Sequence, residues 1–175
     1  TTTVARRSWS GPPPDSPRAQ ELHESYNATT AAEQAERDRL LRELLGEVGD
    51  GVVVKPPFRC DYGQHIAIGP RTFVNYGCVM LDVVPIRIGA ACQISSNAVI
   101  GEVPQDRHYN GGATFCRIGN ETIIREGVTI HRGTQPGSST EVGSQCFLMA
   151  NSHVGHNCVV EDGVNMANGA LLAGH

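Results

Sequence analysis

Through the second half of this chain an aliphatic side chain returns every sixth residue. Ile88, Ile94 and Ile100 begin the series; Ile118, Ile124 and Ile130 continue it; Val142, Leu148, Val154, Val160, Met166 and Leu172 complete it. An amphipathic helix repeats about every 3.6 residues and a half-buried strand every two, so neither yields this period. A short strand followed by a turn does. Three such hexads close a triangular coil of about 18 residues, and successive coils stack as parallel strands about 4.8 Å apart. The aliphatic side chains then fill the interior. Four positions after each comes a second, mostly small residue, among them Cys92, Ala98, Thr122, Cys146, Ser152, Cys158 and Ala170. The periodicity predicts a mainly β chain folded as a parallel β-helix of hexapeptide repeats.

That scheme also accounts for the cysteines. Cys78, Cys92, Cys146 and Cys158 occupy the small interior slot, where a thiol packs as a small hydrophobe rather than pairing. A reduced, cytoplasmic protein is expected. Net charge is −4 and charged residues are 18% of the chain, which gives no electrostatic reason to expect nucleic acid or an anionic membrane as a partner. No apolar run approaches the roughly 18 residues of a membrane span. Two polar stretches interrupt the hexads: GEVPQDRHYNGGATFCR after Ile100, and HRGTQPGSST over 131–140. Both are expected to loop out of the stack, where such scaffolds carry function.

The N-terminal part divides in two. Residues 1–26 open rich in Gly, Pro and Ser and are expected to be mobile. Residues 27–57 form a helical cap. Within it Thr30 and Glu33 have capping-box spacing, and Leu40, Leu41, Leu44, Leu45 and Val48 share one helical face. One helix over about 30–47 follows, ahead of a β-helix over 58–175.

The stretch MANSHVGHNC places His153 and His156 on either side of one corner of the triangle, and His175 one coil further on. Three readings of these imidazoles are open. They can be a solvated edge. They can bind zinc from adjacent coils, as histidines do in β-helical carbonic anhydrases, although the spacing and surrounding motifs of that family do not match. Or one can act as a general base, taking a proton from a sugar hydroxyl that attacks a thioester.

Beyond Ile100 the segments IGEVPQDRHY, IREGVTIHRGT, MANSHVGHNC and LLAGH resemble UDP-N-acetylglucosamine O-acyltransferase of lipid A synthesis. The resemblance implies a left-handed parallel β-helix, a homotrimer with clefts between subunits, and acyl carrier protein as donor. It implies His156 as the base that activates the sugar 3-hydroxyl, with His153 shaping the site. Gln105, Asp106 and His175 match positions contacting the sugar nucleotide, and the Gly174 amide would face the developing oxyanion. Asn157 stands where that family carries Asp, and the family continues for further coils beyond LLAGH.

Residues from about 26 to 94 are similar instead to maltose and galactoside O-acetyltransferases, through YNATT, PPFRCDYG and FVNYGCVMLDVVPIRIG. Here Asn75 and Asp82 match acceptor-sugar positions, but that family's Thr-His-Pro segment is missing. The halves join near 92–98 without loss of hexad phase, as in a chimera of engineered or natural origin. Taken together, the resemblances imply an O-acyltransferase acting on a sugar or sugar nucleotide. The donor would be an acyl carrier protein or acyl-CoA thioester, with no bound cofactor or metal. The competing reading is a β-helix scaffold whose inherited site is idle; a metal-dependent lyase or hydrase is more distant.

Overall fold

A computed structural model describes residues 16–174. Among them, short parallel strands assort into three six-stranded sheets, each strand pairing with its counterpart one coil earlier and later. This is the expected parallel β-helix. Every aliphatic position of the hexad series lies in a strand, and all are buried except Leu172 in the last coil. The second series is buried from Cys92 through Cys158, with Val164 and Ala170 partly covered.

Coil length varies along the stack, and the variation falls at one corner. Measured by interior positions, Val48, Val54 and Cys60 are six apart, as are Ile88, Ile94 and Ile100, and Ile118, Ile124 and Ile130. All extra residues lie between the third sheet and the return to the first. Register therefore advances by 20 residues in the first coils (Val53 to Phe73 to Gln93). It advances by 30 from Gln93 to Ile123, by 24 from Ile123 to Phe147, and by 18 from Phe147 to Asn165. The two polar interruptions are the long members of this set. They leave from a corner that already carries short bulging turns in the coils below.

The cap contains two helices where the sequence predicts one. Helix α1 (Pro17–Ala28) occupies part of the segment expected to be mobile; Pro at its first turn suits a helix start. Residues 1–15 of that segment lie outside the described residues. Helix α2 (Gln34–Leu44) is shorter than the predicted 30–47, and Val48 belongs to the first strand. Glu33 accepts from both the amide and the hydroxyl of Thr30, which closes the turn between the helices. Arg37 is buried in that turn and donates to Thr29 Oγ1 and to the carbonyls of Thr29 and Thr30. Ala19, Leu22, Tyr26, Leu40, Leu41 and Leu44 join the interior of the coils in one apolar core. Tyr26 Oη donates to the Val54 carbonyl (2.7 Å), and Asn27 bonds both backbone groups of Phe58. The cap is thus fastened to the first coil by polar bonds as well as by packing. No helix among the described residues is long and apolar enough to cross a membrane.

Candidate active site

The variable corner is also where the histidines gather. His153 opens the strand His153–Val154 of the third sheet and pairs in register with Thr129 one coil below. Its Nδ1 lies 2.7 Å from Thr129 Oγ1, which fixes the ring. His156 follows on the turn back toward the first sheet and is 3% exposed. The expectation that these two imidazoles flank one corner holds. Neither is a solvated edge residue: His156 is buried and His153 half-buried.

His131 is the third member, and the sequence reading passed over it. A register shift falls between Ile130 and His131, and both residues are buried. The His131 ring meets His153 edge-on, with centroids 4.6 Å apart. Desolvation, reinforced by the neighbouring His153, His156 and Arg132, holds its pKa down to about 4. Burial, then His156, lowers that of His153 as well. The offset from Thr129 to His153 is 24 residues rather than 18, because a loop intervenes; a search at a fixed period misses the pair.

Gly174, from the following coil, closes over His156. A Cβ built on it would stand 2.8 Å from Nε2, and its φ of +96° is one that side-chain-bearing residues avoid. Gly155 lets the same backbone approach: its Cβ position is 2.7 Å from the Gly174 nitrogen. Glycine in both places lets backbone and imidazole come into contact. His175 lies outside the described residues.

The loop over 103–114 borders this corner. Gln105 is exposed and Asp106 partly covered. The Asp106 carboxyl is held below its usual range, chiefly by the His108 backbone N–H, with the His108 and His156 imidazoles contributing. Arg132, beside His131, is buried against the same loop: its Nε donates to Tyr109 Oη (3.2 Å), its guanidinium covers the Tyr109 ring, and it reaches the Gly101 carbonyl. Asn157 serves the neighbouring loop. Its Oδ1 accepts from Thr134 N and Ser138 Oγ, and its Nδ2 donates to Thr134 Oγ1.

The other two candidates stand three coils below His153 and His156. Asn75 is half-buried at a different corner, its Oδ1 accepting from Tyr76 N. Asp82 is fully buried at the variable corner. Its carboxylate accepts from the backbone N–H groups of Asp61, Tyr62 and His65 and so holds the turn over 61–65. The structure does not bring Asn75 and Asp82 together with the histidines. Among the described residues, no three His, Cys, Asp or Glu side chains converge as a metal ion requires. What the corner offers is a buried imidazole, a glycine backbone beside it and polar loops in front.

Comparisons with known proteins divide along the same lines. Residues 139–174 match the family model for the bacterial transferase hexapeptide (six repeats), and residues 15–49 match the maltose acetyltransferase hexapeptide capping motif. An acyl-[acyl-carrier-protein]–UDP-N-acetylglucosamine O-acyltransferase of Synechocystis sp. is 50% identical over 91 residues, which are 52% of this chain and 33% of the relative. The chain thus spans about a third of the length of such curated relatives. Among solved structures, a maltose O-acetyltransferase from Clostridium difficile 630 aligns with a TM-score of 0.69 at 30% identity, over 82% of this chain and 76% of that one. A hexapeptide-repeat-containing acetyltransferase from Vibrio cholerae, complexed with acetyl coenzyme A, aligns with a TM-score of 0.69 at 29% identity, over 90% and 80%.

Proposed function

The chain belongs to the hexapeptide-repeat acyltransferases, and we propose that it transfers an acyl group from a thioester to a sugar or sugar-nucleotide hydroxyl, with His156 as general base. The observation that carries this reading is the meeting of His156 Nε2 with the Gly174 backbone at a corner shared with His153 and His131. His156 removes the hydroxyl proton as the oxygen attacks the thioester carbonyl. The Gly174 N–H stabilises the oxyanion; as it collapses the C–S bond breaks, and the departing thiolate takes up the proton from His156. His153, held by Thr129, positions the acceptor. His131, neutral near pH 7, adds no competing positive charge beside the base.

By likeness to the curated relatives, the acceptor is UDP-N-acetylglucosamine and the donor acyl carrier protein, with acyl-CoA as the donor suggested by the acetyltransferase neighbours. Gln105 and Asp106 would contact the nucleotide sugar. Two concavities of the single chain, along the first sheet and beside α1, lie away from the histidines. We further propose a homotrimer in which a second subunit faces this corner and completes the cleft. Sedimentation should give three chains per particle; a monodisperse monomer contradicts this assembly.

The decisive experiment follows acyl transfer to UDP-N-acetylglucosamine from acyl carrier protein carrying a range of chain lengths, and from acetyl-CoA, beside His156→Ala. Loss of about 10²-fold or more in the variant supports the base. Absence of product with every donor, from folded oligomer, favours an idle scaffold. Asn157 favours that second reading, since its carboxamide is engaged with Thr134 and Ser138.

A further inference from the structure

One buried cation beside the histidine corner has no part in the transfer step itself. Arg132 directly follows His131 and is 4% exposed. Its Nε donates to Tyr109 Oη and its Nη1 to the Gly101 carbonyl, both at 3.2 Å. The guanidinium carbon lies 5.6 Å from the centre of the Tyr109 ring. Among the described residues, no carboxylate pairs with it. Taking a guanidinium out of water and giving it only neutral acceptors is costly, and an apolar side chain in the same space is often at least as stable. Fold stability alone is therefore a poor reason for an arginine here. What the arginine holds is a better one.

Tyr109 closes the turn over 106–109. Its N–H donates to the Asp106 carbonyl at 3.1 Å, and Asp106 Oδ1 accepts from His108 N at 2.8 Å. Gln105 and Asp106 are carried by this turn, and the Asp106 carboxylate feels the charge of His156. Among the described residues, the bond from Arg132 to Tyr109 is the one hydrogen bond joining 105–112 to the coils. Arg132 is in turn fixed to the coil below, since its N–H donates to the Glu102 carbonyl at 3.1 Å and its Nη1 to that of Gly101.

We propose that Arg132 is a positioning residue for the acceptor: through Tyr109 it latches the Asp106 turn against the histidine corner. The grip needs an arginine. Two nitrogens reach Tyr109 Oη and the Gly101 carbonyl at once while the guanidinium covers the ring, and a lysine ammonium offers no such fork. With the latch closed, Gln105 and Asp106 are held beside an acceptor brought to His156. With it open, they move away and the base is untouched. What the turn holds rests on the transferase reading; the latch itself does not.

The test uses the full chain and two readouts. Trypsin cuts after Arg107, which is exposed in the turn, at a rate that follows local opening. In Tyr109→Ala this cut should come about tenfold faster, with cutting after Arg117, in the strand Phe115–Ile118, unchanged. Tyr109→Phe, which keeps the ring over the guanidinium, should fall between. Acyl transfer is then followed against UDP-N-acetylglucosamine at saturating acyl carrier protein thioester. Tyr109→Ala and Arg132→Lys should raise acceptor KM about tenfold and leave kcat within about twofold. A role confined to holding the fold would instead lower kcat, through the active fraction, at unchanged KM. In an Asp106→Ala background, Tyr109→Ala should add less than about twofold, because the two act in series. If Arg132→Lys fails to fold by far-UV circular dichroism, the Tyr109 variants carry the test. Unchanged cutting after Arg107 in Tyr109→Ala, a fall in kcat in place of the rise in KM, or the full KM effect persisting without Asp106 overturns the proposal. No product from the unaltered chain overturns the transferase reading instead, and the trypsin readout still decides the latch.

Discussion

The early and late coils use the same corner to opposite ends. In the first coils the corner is two residues longer than a hexad, and a buried carboxylate spans it: Asp82 accepts from three backbone N–H groups. In the later coils the corner carries His131 and His153, whose protonation is suppressed by burial and by neighbouring imidazoles, beneath long loops. Both arrangements bury polar groups. The first uses them to hold a turn, the second to suppress protonation of His131 and His153. What separates structural from chemical polarity here is how many of a group's hydrogen-bonding positions the backbone occupies.

The largest effect that would sharpen this contrast is expected at the structural end. Asp82→Ala leaves three backbone donors without their acceptor and should lower stability by about 3 kcal/mol in urea unfolding. If instead stability holds and sugar affinity falls, Asp82 belongs with the binding residues and the contrast breaks. At the chemical end, the folded His131 titrates near 4 and an unfolded histidine near 6.5. The unfolded state therefore takes up a proton first as pH falls. Stability contributed by the neutral ring is present above about pH 6.5, is lost on acidification toward 4, and stays lost below it; the loss amounts to about 2–3 kcal/mol. His131→Gln should flatten that part of the pH–stability curve, and an unchanged slope would show that the ring is hydrated.

Gly174→Ala comes next. It adds a methyl against His156 Nε2 at a backbone angle unsuited to alanine, which should cost about 1–2 kcal/mol and slow transfer more than it changes acceptor KM. Smallest is Asn157→Asp. Its oxygens can still accept from Thr134 N and Ser138 Oγ, while one donor to Thr134 Oγ1 is lost, so stability should shift by about 1 kcal/mol or less. A several-fold gain in kcat would show that a negative charge here assists the base.

The sequence made the stack legible because interior side chains report their own period: Ile88 through Val160 sit where the hexads put them. The paired loops were legible as breaks in that period. The partnership of His131 with His153 was not, because it depends on a bulge and on a loop of arbitrary length. Nor was the fate of Asp82: a carboxylate in a polar turn reads alike whether it meets a ligand or three amides. Helix α1 was hidden for a third reason. Its buried Ala19, Leu22 and Tyr26 are too few to mark an apolar face without the coil they pack against.

One consequence follows from confining every insertion to a single corner. The strands on either side keep their register whether the step from one interior position to the next is 8 (Cys60 to Ile68, Met80 to Ile88), 18 (Ile100 to Ile118), 12 (Ile130 to Val142) or 6 (Val154 to Val160). Loop length along that edge is therefore free to drift while the interior stays fixed. Descendants of such a chain can exchange what they recognise without renegotiating how they fold, and two lineages with different edges can be joined between coils and still share one interior.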